Sequence, residues 1–182
     1  MQPEKLYHIY NKGNNSQLIF YAEKNYLFFL KKVRVQLSKH IDILAYALMP
    51  NHFHLLISTK KDFNRTSYSN DLRILLSSYT RAINKQEGRS GSLFQQNTKS
   101  KSLSIDADIN YPFTCFHYIH QNAMKAGIVD KLEDWPYSSF LDYIGKRNGT
   151  LCNQSLAKRL LDLPENSIDF YKQSYDVVAF NQ

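Results

Sequence analysis

Long hydrophobic runs and cysteines are both scarce in this sequence. The longest apolar stretch, Ile43 to Met49, is far shorter than the roughly 20 residues that a membrane-spanning helix needs. The first residues, MQPEKLYHIYNKG, lack the apolar segment of a signal peptide. Cys115 and Cys152 are too far apart for a CxxC pair and too few for a disulfide scaffold. We therefore expect a soluble, cytoplasmic protein with no membrane partner and with both cysteines reduced.

Glycine and proline are also infrequent, with six and five residues among 182. Such a composition argues against a long disordered linker. Hydrophobic residues make up 43% of the chain and charged residues 21%, the usage of an ordinary globular protein. The length fits one domain, or one domain with a small appendage.

Positive charge is concentrated in one part of the chain. Between Lys60 and Lys101 there are nine basic and three acidic residues, which account for most of the net charge of +7. Tyr68, Tyr79 and Phe94 are interleaved with them, a mixture that suits phosphate contacts and base stacking. A solvated helix face explains the charge alone equally well. The residues of this stretch that we consider for DNA binding are Arg73, Arg81, Lys85, Arg89, Lys99 and Lys101.

The hydrophobic pattern changes repeatedly between the period of strands and that of helices. In chain order it predicts a strand over 6–11, a helix over 22–39, strands over 41–48 and 52–59, a helix around 72–83 and a strand over 92–103. Ser69 or Asn70 is the expected cap of the second helix, and Gly88 its end. The order βαββαβ predicts an α+β fold, a ferredoxin-like or RRM-like plait. Its antiparallel sheet has two helices on one face and a free opposite face.

A third helix, from about residue 110 to 126, is expected after the plait and on the open face of its sheet; it carries Tyr118. Pro112 falls in its first turn, and Gly127 ends it. The stretch WPYSS then predicts a turn into a fourth helix up to Gly145, followed by one or two short helices. We divide the chain into a domain over 1–130 and a helical extension over 131–182 that packs on the same domain.

Two histidines interrupt the apolar stretch MPNHFHLLIS. Because strand side chains alternate, His52 and His54 project to one face of the sheet and Phe53 to the other, where the two helices lie. Two imidazoles at this spacing can converge on one divalent ion and leave positions open for other ligands. A hydrogen-bonded core role is the alternative, but burying two imidazoles in one apolar strand is costly without partners.

The third helix supplies further polar groups. At 100° per residue, Tyr118, Asn122 and Lys125 lie on one side, opposite the apolar side. Asn122 can offer its carbonyl oxygen as a third metal ligand. His120 falls nearer the apolar side and is expected to be structural, whereas the role of His117 is left open. The phenol of Tyr118 can attack a phosphodiester if a cation polarises the phosphate.

Four stretches of the sequence resemble the single-tyrosine HUH transposases, and especially the REP-associated tyrosine transposases. MPNHFHLLIS is similar to the family's histidine, hydrophobic, histidine motif, and YIHQNAMKAGIV to its catalytic-helix signature. SLFQQNTKSKSL and WPYSS are similar to two further stretches in the same order. The resemblance extends from about Leu6 to Tyr143, and it makes residues 1–130 the expected catalytic domain.

The resemblance implies an endonuclease and strand transferase that cleaves single-stranded DNA near a hairpin through a covalent 5′-phosphotyrosine. Tyr118 matches the nucleophile, and His52 and His54 match the metal ligands. Asn122 takes the place of a third polar ligand, and the implied metal is Mg²⁺ or Mn²⁺. Lys125 and the basic residues named above would contact the DNA. The implied partner is a DNA hairpin, and a monomer is favoured over a homodimer.

The sequence departs from the family pattern at two places. Ala123 stands where the family commonly has proline, which allows the helix to continue smoothly and can change the direction of Lys125. Gln96, Asn97 and Thr98 replace basic residues, which is expected to weaken or change DNA contacts. Neither departure removes a catalytic group.

Two other functions are compatible with the same residues. One is a non-catalytic module that binds single-stranded DNA or RNA on the open face of the plait. The other is a metal-dependent phosphodiesterase in which water attacks in place of tyrosine. The histidine pair favours an enzyme, and the tyrosine helix alone distinguishes the transposase from the phosphodiesterase.

Overall fold

Four strands and two long helices follow one another in the order βαββαβ. The computed structural model describes residues 1–103, 105–106 and 109–176. The first part comprises β1 (Leu6–Lys12), α1 (Glu23–Leu37), β2 (Ile41–Met49), β3 (His52–Thr59), α2 (Arg65–Gln86) and β4 (Lys99–Leu103). The two-residue strands β5 (Ile105–Asp106) and β6 (Ile109–Asn110) precede α3 (Tyr111–Lys125), α4 (Phe140–Tyr143), α5 (Gln154–Leu161) and α6 (Ser167–Asp176). Within these ranges no helix combines the length and apolarity needed to cross a membrane.

The four longer strands form one antiparallel sheet in the order β2-β3-β1-β4. β1 and β3 are its central pair, and Tyr10 lies opposite His54 across them. β4 pairs with the other side of β1, which places Lys101 opposite His8 and Lys99 opposite Tyr10. This is the strand arrangement of the ferredoxin-like plait, so the predicted fold class is confirmed.

The helices α1 and α2 cover one face of the sheet. Phe53 of β3 is fully buried, and its ring centroid lies 5.0 Å from that of Phe29 in α1. Phe29 in turn contacts Tyr79 of α2 at 5.1 Å. Burial of each such ring contributes about 2 kcal/mol to stability. Because side chains alternate along β3, this packing also directs His52 and His54 to the opposite face.

The helix α3 packs on that opposite face, against β2 and β3. Its outer side buries Phe116, whose ring contacts Tyr143 and Phe170 of the following segment at 5.0 and 5.9 Å. Gly127 follows the helix with a φ of 66°, the left-handed region that favours glycine at a helix end. The predicted position and end of the third helix are therefore confirmed.

The residues after α3 fold back along β2, an edge strand of the sheet. The Leu48 N–H donates to the Tyr137 carbonyl at 2.9 Å, and the Ser139 N–H donates to the Tyr46 carbonyl at 2.9 Å. The WPYSS stretch thus satisfies backbone groups that an edge strand leaves unpaired. Its connection to α3 and β2 agrees with an extension packed on the same domain, although the division at residue 130 stays a prediction.

The fourth strand is shorter than predicted, because it begins at Lys99 and not at residue 92. Before that point the pairing with β1 is irregular, and the Asn11 side chain takes part in it. Its Nδ2 donates to the Gln95 carbonyl at 3.2 Å and to the Thr98 hydroxyl at 2.9 Å. Side-chain hydrogen bonds of this kind have no signature in the hydrophobic pattern, so the sequence could not predict where the strand begins.

Two helices also differ from their predicted bounds. The helix α2 begins at Arg65, a full turn before Ser69 and Asn70, because Asn64 caps it by accepting the Ser67 N–H at 2.9 Å. The fourth helix is a single turn, Phe140–Tyr143, although it ends close to the predicted Gly145. The apolar side of α2 starts before residue 72, the predicted start, because Tyr68 is already buried.

Candidate functional site

His52 and His54 lie side by side on the face of β3 that α3 covers. Their ring centroids are 5.0 Å apart and their planes are nearly perpendicular. His54 is buried, whereas His52 is partly accessible at the start of the strand. The Nδ1 atom of His52 lies 2.7 Å from the Asn51 side-chain oxygen, so Nδ1 carries the proton and Nε2 keeps its lone pair. The two imidazoles therefore occupy one small region, as predicted.

Tyr118 reaches this pair from α3. Its ring centroid is 5.8 Å from that of His54, and the side chain is half-buried. One turn later, Nδ2 of Asn122 donates to the Tyr118 backbone carbonyl at 2.9 Å, and the Asn122 side chain is near enough to affect the pKa of both Tyr118 and His52. The Lys125 ammonium lies 5.9 Å from the centre of the Tyr118 ring, within range of a cation–π contact. The structure thus brings together all five residues that the sequence assigned to the centre of the site.

Burial governs the protonation of these groups. It lowers the pKa of His52, and it holds the pKa of His54 well below 6.5, helped by the neighbouring His8 and His52. Both imidazoles are consequently neutral near pH 7 and able to bind a metal. Burial also raises the pKa of Tyr118, while a hydrogen bond from Asn122 opposes that shift. Tyr118 is therefore a neutral phenol in the free protein.

A third histidine, His8 of β1, was missed by the sequence analysis. Its Nε2 atom lies 2.8 Å from Nδ1 of His54, and its ring is completely buried. Burial and the nearby Lys101 lower the pKa of His8 to about 4. The alternation Tyr7-His8-Ile9 in a strand next to β3 was the signal that would have found it, since it puts His8 on the same face as His54.

A cavity of about 400 Å³ opens beside Tyr118, His52 and His54. Tyr10 and Lys99 are among its other lining residues. The Tyr10 ring stacks on His54 with centroids 5.8 Å apart, so the lining of the cavity combines aromatic rings with the cationic side chain of Lys99. Such a wall suits a nucleotide, which presents a flat base and a charged phosphate.

The donor atoms of the site are few. Among the residues that the structure describes, no group of three or more His, Cys, Asp or Glu side chains could hold a metal ion. A metal would therefore rely on His52, His54 and the amide oxygen of Asn122. This set fits a labile divalent cation, because it leaves most coordination positions to water and phosphate oxygens.

The seven basic residues predicted to bind DNA do not form one surface. Lys99 and Lys101 project from β4 to the same face as His8 and Tyr10, and Lys125 lies beside Tyr118. The remaining four lie on or just after α2, in the layer on the other face of the sheet: Arg73, Arg81, Lys85 and Arg89. Of these, Arg89 donates to the Ser92 carbonyl at 3.2 Å. The structure brings only three of the seven near the cavity.

The two remaining histidines of α3 face the extension. His120 is buried with its Nε2 atom 2.7 Å from the Ser139 hydroxyl, in agreement with a structural role. His117 is buried as well, between Phe113 at 4.7 Å and Phe170 at 6.0 Å. Its role, left open by the sequence, is packing between α3 and α6.

Comparisons with known proteins agree with this arrangement. No protein-family model matches the chain. A protein of Haemophilus influenzae named as a REP-associated tyrosine transposase is 28% identical over 109 residues, which span 54% of this chain and 58% of that relative. A solved structure of a REP-associated tyrosine transposase bound to a REP hairpin matches with a TM-score of 0.61 and 18% identity, over 80% of this chain and 82% of that chain. In sequence and in fold, the chain is therefore similar to the REP-associated tyrosine transposases, the family that its motifs indicated.

Proposed function

We propose that the protein is a metal-dependent endonuclease and strand transferase that cleaves single-stranded DNA with Tyr118 as its nucleophile. The observation that carries this proposal is the convergence of Tyr118, Asn122, His52 and His54 beside one open cavity. All four side chains come from one chain, which supports action as a monomer. The protein would thus act as a DNA transposase.

The substrate is inferred from the relatives and from the walls of the cavity. The solved relative is bound to a REP hairpin, and the Haemophilus influenzae relative is named as a transposase. In this chain, Tyr10 offers a ring for base stacking, while Lys99 and Lys101 offer charge for phosphates. We infer that the substrate is single-stranded DNA next to a hairpin.

The chemical step exchanges one phosphate ester for another. The Tyr118 oxygen attacks the phosphorus, an O–P bond to tyrosine forms, and the bond from phosphorus to the 3′ oxygen breaks. The phenol proton leaves to solvent, and the departing 3′ oxygen takes up a proton. Attack on the phosphotyrosine by the 3′ hydroxyl of another strand reverses the step. The ester conserves the bond energy, so no nucleotide cofactor is needed.

The neighbours of Tyr118 assist this step. Asn122 orients the phenol, and Lys125 beside the ring favours the negative charge that develops on its oxygen. His52, His54 and Asn122 would hold Mg²⁺ or Mn²⁺, which when bound supplies polarisation of the attacked phosphate. The neutral imidazoles are ready for this role near pH 7.

The experiment uses a hairpin-bearing DNA strand with one dye at its 5′ end and a different dye at its 3′ end. After incubation with protein and Mn²⁺, a denaturing gel separates the products. We expect the 3′ dye to migrate with the protein, because tyrosine keeps the 5′ phosphate of that fragment. The 5′ dye should appear on a shorter free strand.

Matched variants connect the result to the site. Tyr118→Phe should form no adduct, and His52→Ala or His54→Ala should reduce it strongly. Tyr137→Phe, which removes a phenol remote from the cavity, should behave as wild type. Cleavage with both dyes on free strands would establish attack by water and overturn the tyrosine mechanism. Binding without cleavage over varied hairpins would leave only a binding module.

A further inference from the structure

His8 lies directly behind the metal-ligand candidate His54, and no role follows for it from the proposed reaction. We propose that His8 is a positioning residue, which holds His54 in the tautomer whose Nε2 atom can bind a divalent cation. This inference rests on the proposed function, because it concerns the same metal site. It adds a residue from β1 that does not itself contact the metal or the DNA.

The contact between the two histidines is short and secluded. The Nε2 atom of His8 and the Nδ1 atom of His54 are 2.8 Å apart, the distance of a good hydrogen bond. The side chains are 0% and 6% exposed, so water does not compete for either nitrogen. A hydrogen bond at this distance needs one proton between the two nitrogens.

The position of that proton decides whether His54 can bind a metal. If His54 carries it on Nδ1 and donates to His8, then Nε2 of His54 keeps its lone pair. If His8 carries it and donates, then neutral His54 must have its proton on Nε2, which blocks coordination there. Metal binding at Nε2 of His54 therefore requires His8 to accept.

His8 is well fixed for such a role. Its ring lies 4.8 Å from Tyr10 and 6.3 Å from Tyr118 by centroid distance, and the strand pairs on both sides of β1 hold its backbone. Its other ring nitrogen, Nδ1, has no hydrogen-bond partner among the described residues. Among the described residues, the hydrogen bond to His54 is therefore the one that holds the His8 ring.

The arrangement at His52 supports the same reasoning. There the Asn51 side-chain oxygen accepts from Nδ1 at 2.7 Å and likewise leaves Nε2 with the lone pair. Each of the two candidate ligands is therefore held through Nδ1 by a neighbour. Outer partners of metal-binding histidines commonly act in this way, and their loss typically weakens metal binding about 10- to 100-fold.

The first test observes the proton directly. Nitrogen NMR of the imidazole rings in wild-type protein saturated with Mg²⁺ distinguishes protonated from unprotonated ring nitrogens. We expect His54 to be protonated on Nδ1 and His8 to be unprotonated on Nε2. The reverse assignment, with Mg²⁺ bound, would overturn the proposal without any variant.

The second test measures metal affinity without DNA, from the electron paramagnetic resonance of free Mn²⁺. His8→Phe keeps a ring but removes the acceptor, and we expect Mn²⁺ binding to weaken about 10- to 100-fold. His8→Gln offers an amide oxygen and should recover part of the loss. His40→Phe is the matched control, since His40 bonds to Asp71 at 2.7 Å outside the cavity. Its affinity should equal that of wild type.

The outcomes separate this inference from the proposed function. If His52→Ala and His54→Ala lose Mn²⁺ while a folded His8→Phe binds as tightly as wild type, the positioning role is wrong and the metal site stands. If all three variants bind Mn²⁺ like wild type, the metal site itself is wrong. Thermal melting establishes which variants are folded, and the NMR assignment decides the matter if His8→Phe is not.

Discussion

Tyr118 and His54 meet edge to face across the junction of α3 and the sheet, with ring centroids 5.8 Å apart and planes at 83°. The two residues sit on regular elements and not on loops, so helix packing sets the distance between the proposed nucleophile and the proposed metal ligands. The outer side of α3 rests on Phe170 and Tyr143 of the extension. The extension therefore helps to position the site without contributing a reacting group.

Asn122 connects the two halves of the site, because its side chain affects the pKa of both His52 and Tyr118. Asn122→Ala should weaken Mn²⁺ binding and slow adduct formation, each about 10- to 100-fold. Asn122→Asp keeps an oxygen ligand and adds a charge, so it should bind Mn²⁺ more tightly than Asn122→Ala does. Calorimetric titration with Mn²⁺ measures the order. Equal affinities for the two variants would show that Asn122 is no ligand.

The salt dependence of DNA binding should identify the basic residues that contact phosphates. Lys99 and Lys101 share a face with the cavity, whereas Lys85 lies on the opposite layer. Log affinity falls as log salt rises, and each lost phosphate contact makes this slope less steep by about 0.7 for a single strand. We expect this change in Lys99→Gln and Lys101→Gln, and none in Lys85→Gln. Fluorescence anisotropy over a range of salt concentrations provides the slopes.

Arg147 should be critical for stability although it lies outside the site. Its guanidinium donates to both carboxylate oxygens of Asp142, at 2.6 and 2.9 Å, and the Asp142 side chain is only 1% exposed. Arg147→Met leaves that carboxylate buried without its partner, which should lower the unfolding free energy by about 3 kcal/mol. Urea denaturation followed by circular dichroism measures the change.

Lys146 is the matched control for Arg147. It is exposed and lies 3.8 Å from Glu133, a surface ion pair of the kind that contributes less than about 1 kcal/mol. Lys146→Met should therefore unfold at nearly the wild-type urea concentration. If Arg147→Met and Lys146→Met were equally stable, the buried pair would not support the extension.

The buried histidine His117 should make stability depend on pH in the acid range. Burial lowers its pKa from 6.5 to about 4, so it stays neutral in the folded protein where the unfolded chain takes up a proton. Stability is therefore lost as the pH falls from 6.5 towards 4, by roughly 3 kcal/mol for this group. His117→Phe should reduce the pH dependence of the unfolding free energy over that range. An unchanged dependence would show that His117 is not neutral in the fold.

The sequence was sufficient to predict the plait and the juxtaposition of the candidate site residues, and the reasons are local. Period-two alternation places His52 and His54 on one face, and the turn of a helix places Tyr118 next to Asn122. Both rules hold whatever surrounds the segment. The packing of the Phe53 ring against Phe29 on the opposite side of the sheet confirms which face of β3 each side chain points to.

The features that sequence reasoning missed depend on distant contacts. His8 meets His54 only through the register between β1 and β3, and the start of β4 depends on the side chain of Asn11. Likewise, the spread of Arg73 and Lys99 over two faces of the sheet follows from the path of the chain and not from charge density. A basic stretch in sequence is therefore a poor guide to a basic surface.

The most direct test of the proposed mechanism identifies the tyrosine that becomes covalently joined to DNA. The adduct formed with hairpin DNA is treated with nuclease and trypsin, and every peptide that carries a nucleotide is sequenced by tandem mass spectrometry; we expect the peptide from Ser102 to Lys125. This peptide contains Tyr111 as well as Tyr118, so fragmentation must separate them. We predict a 5′-phosphonucleotide on Tyr118 alone. Modification of Tyr111 or of the cavity residue Tyr10, with Tyr118 unmodified, would contradict the assignment of the nucleophile.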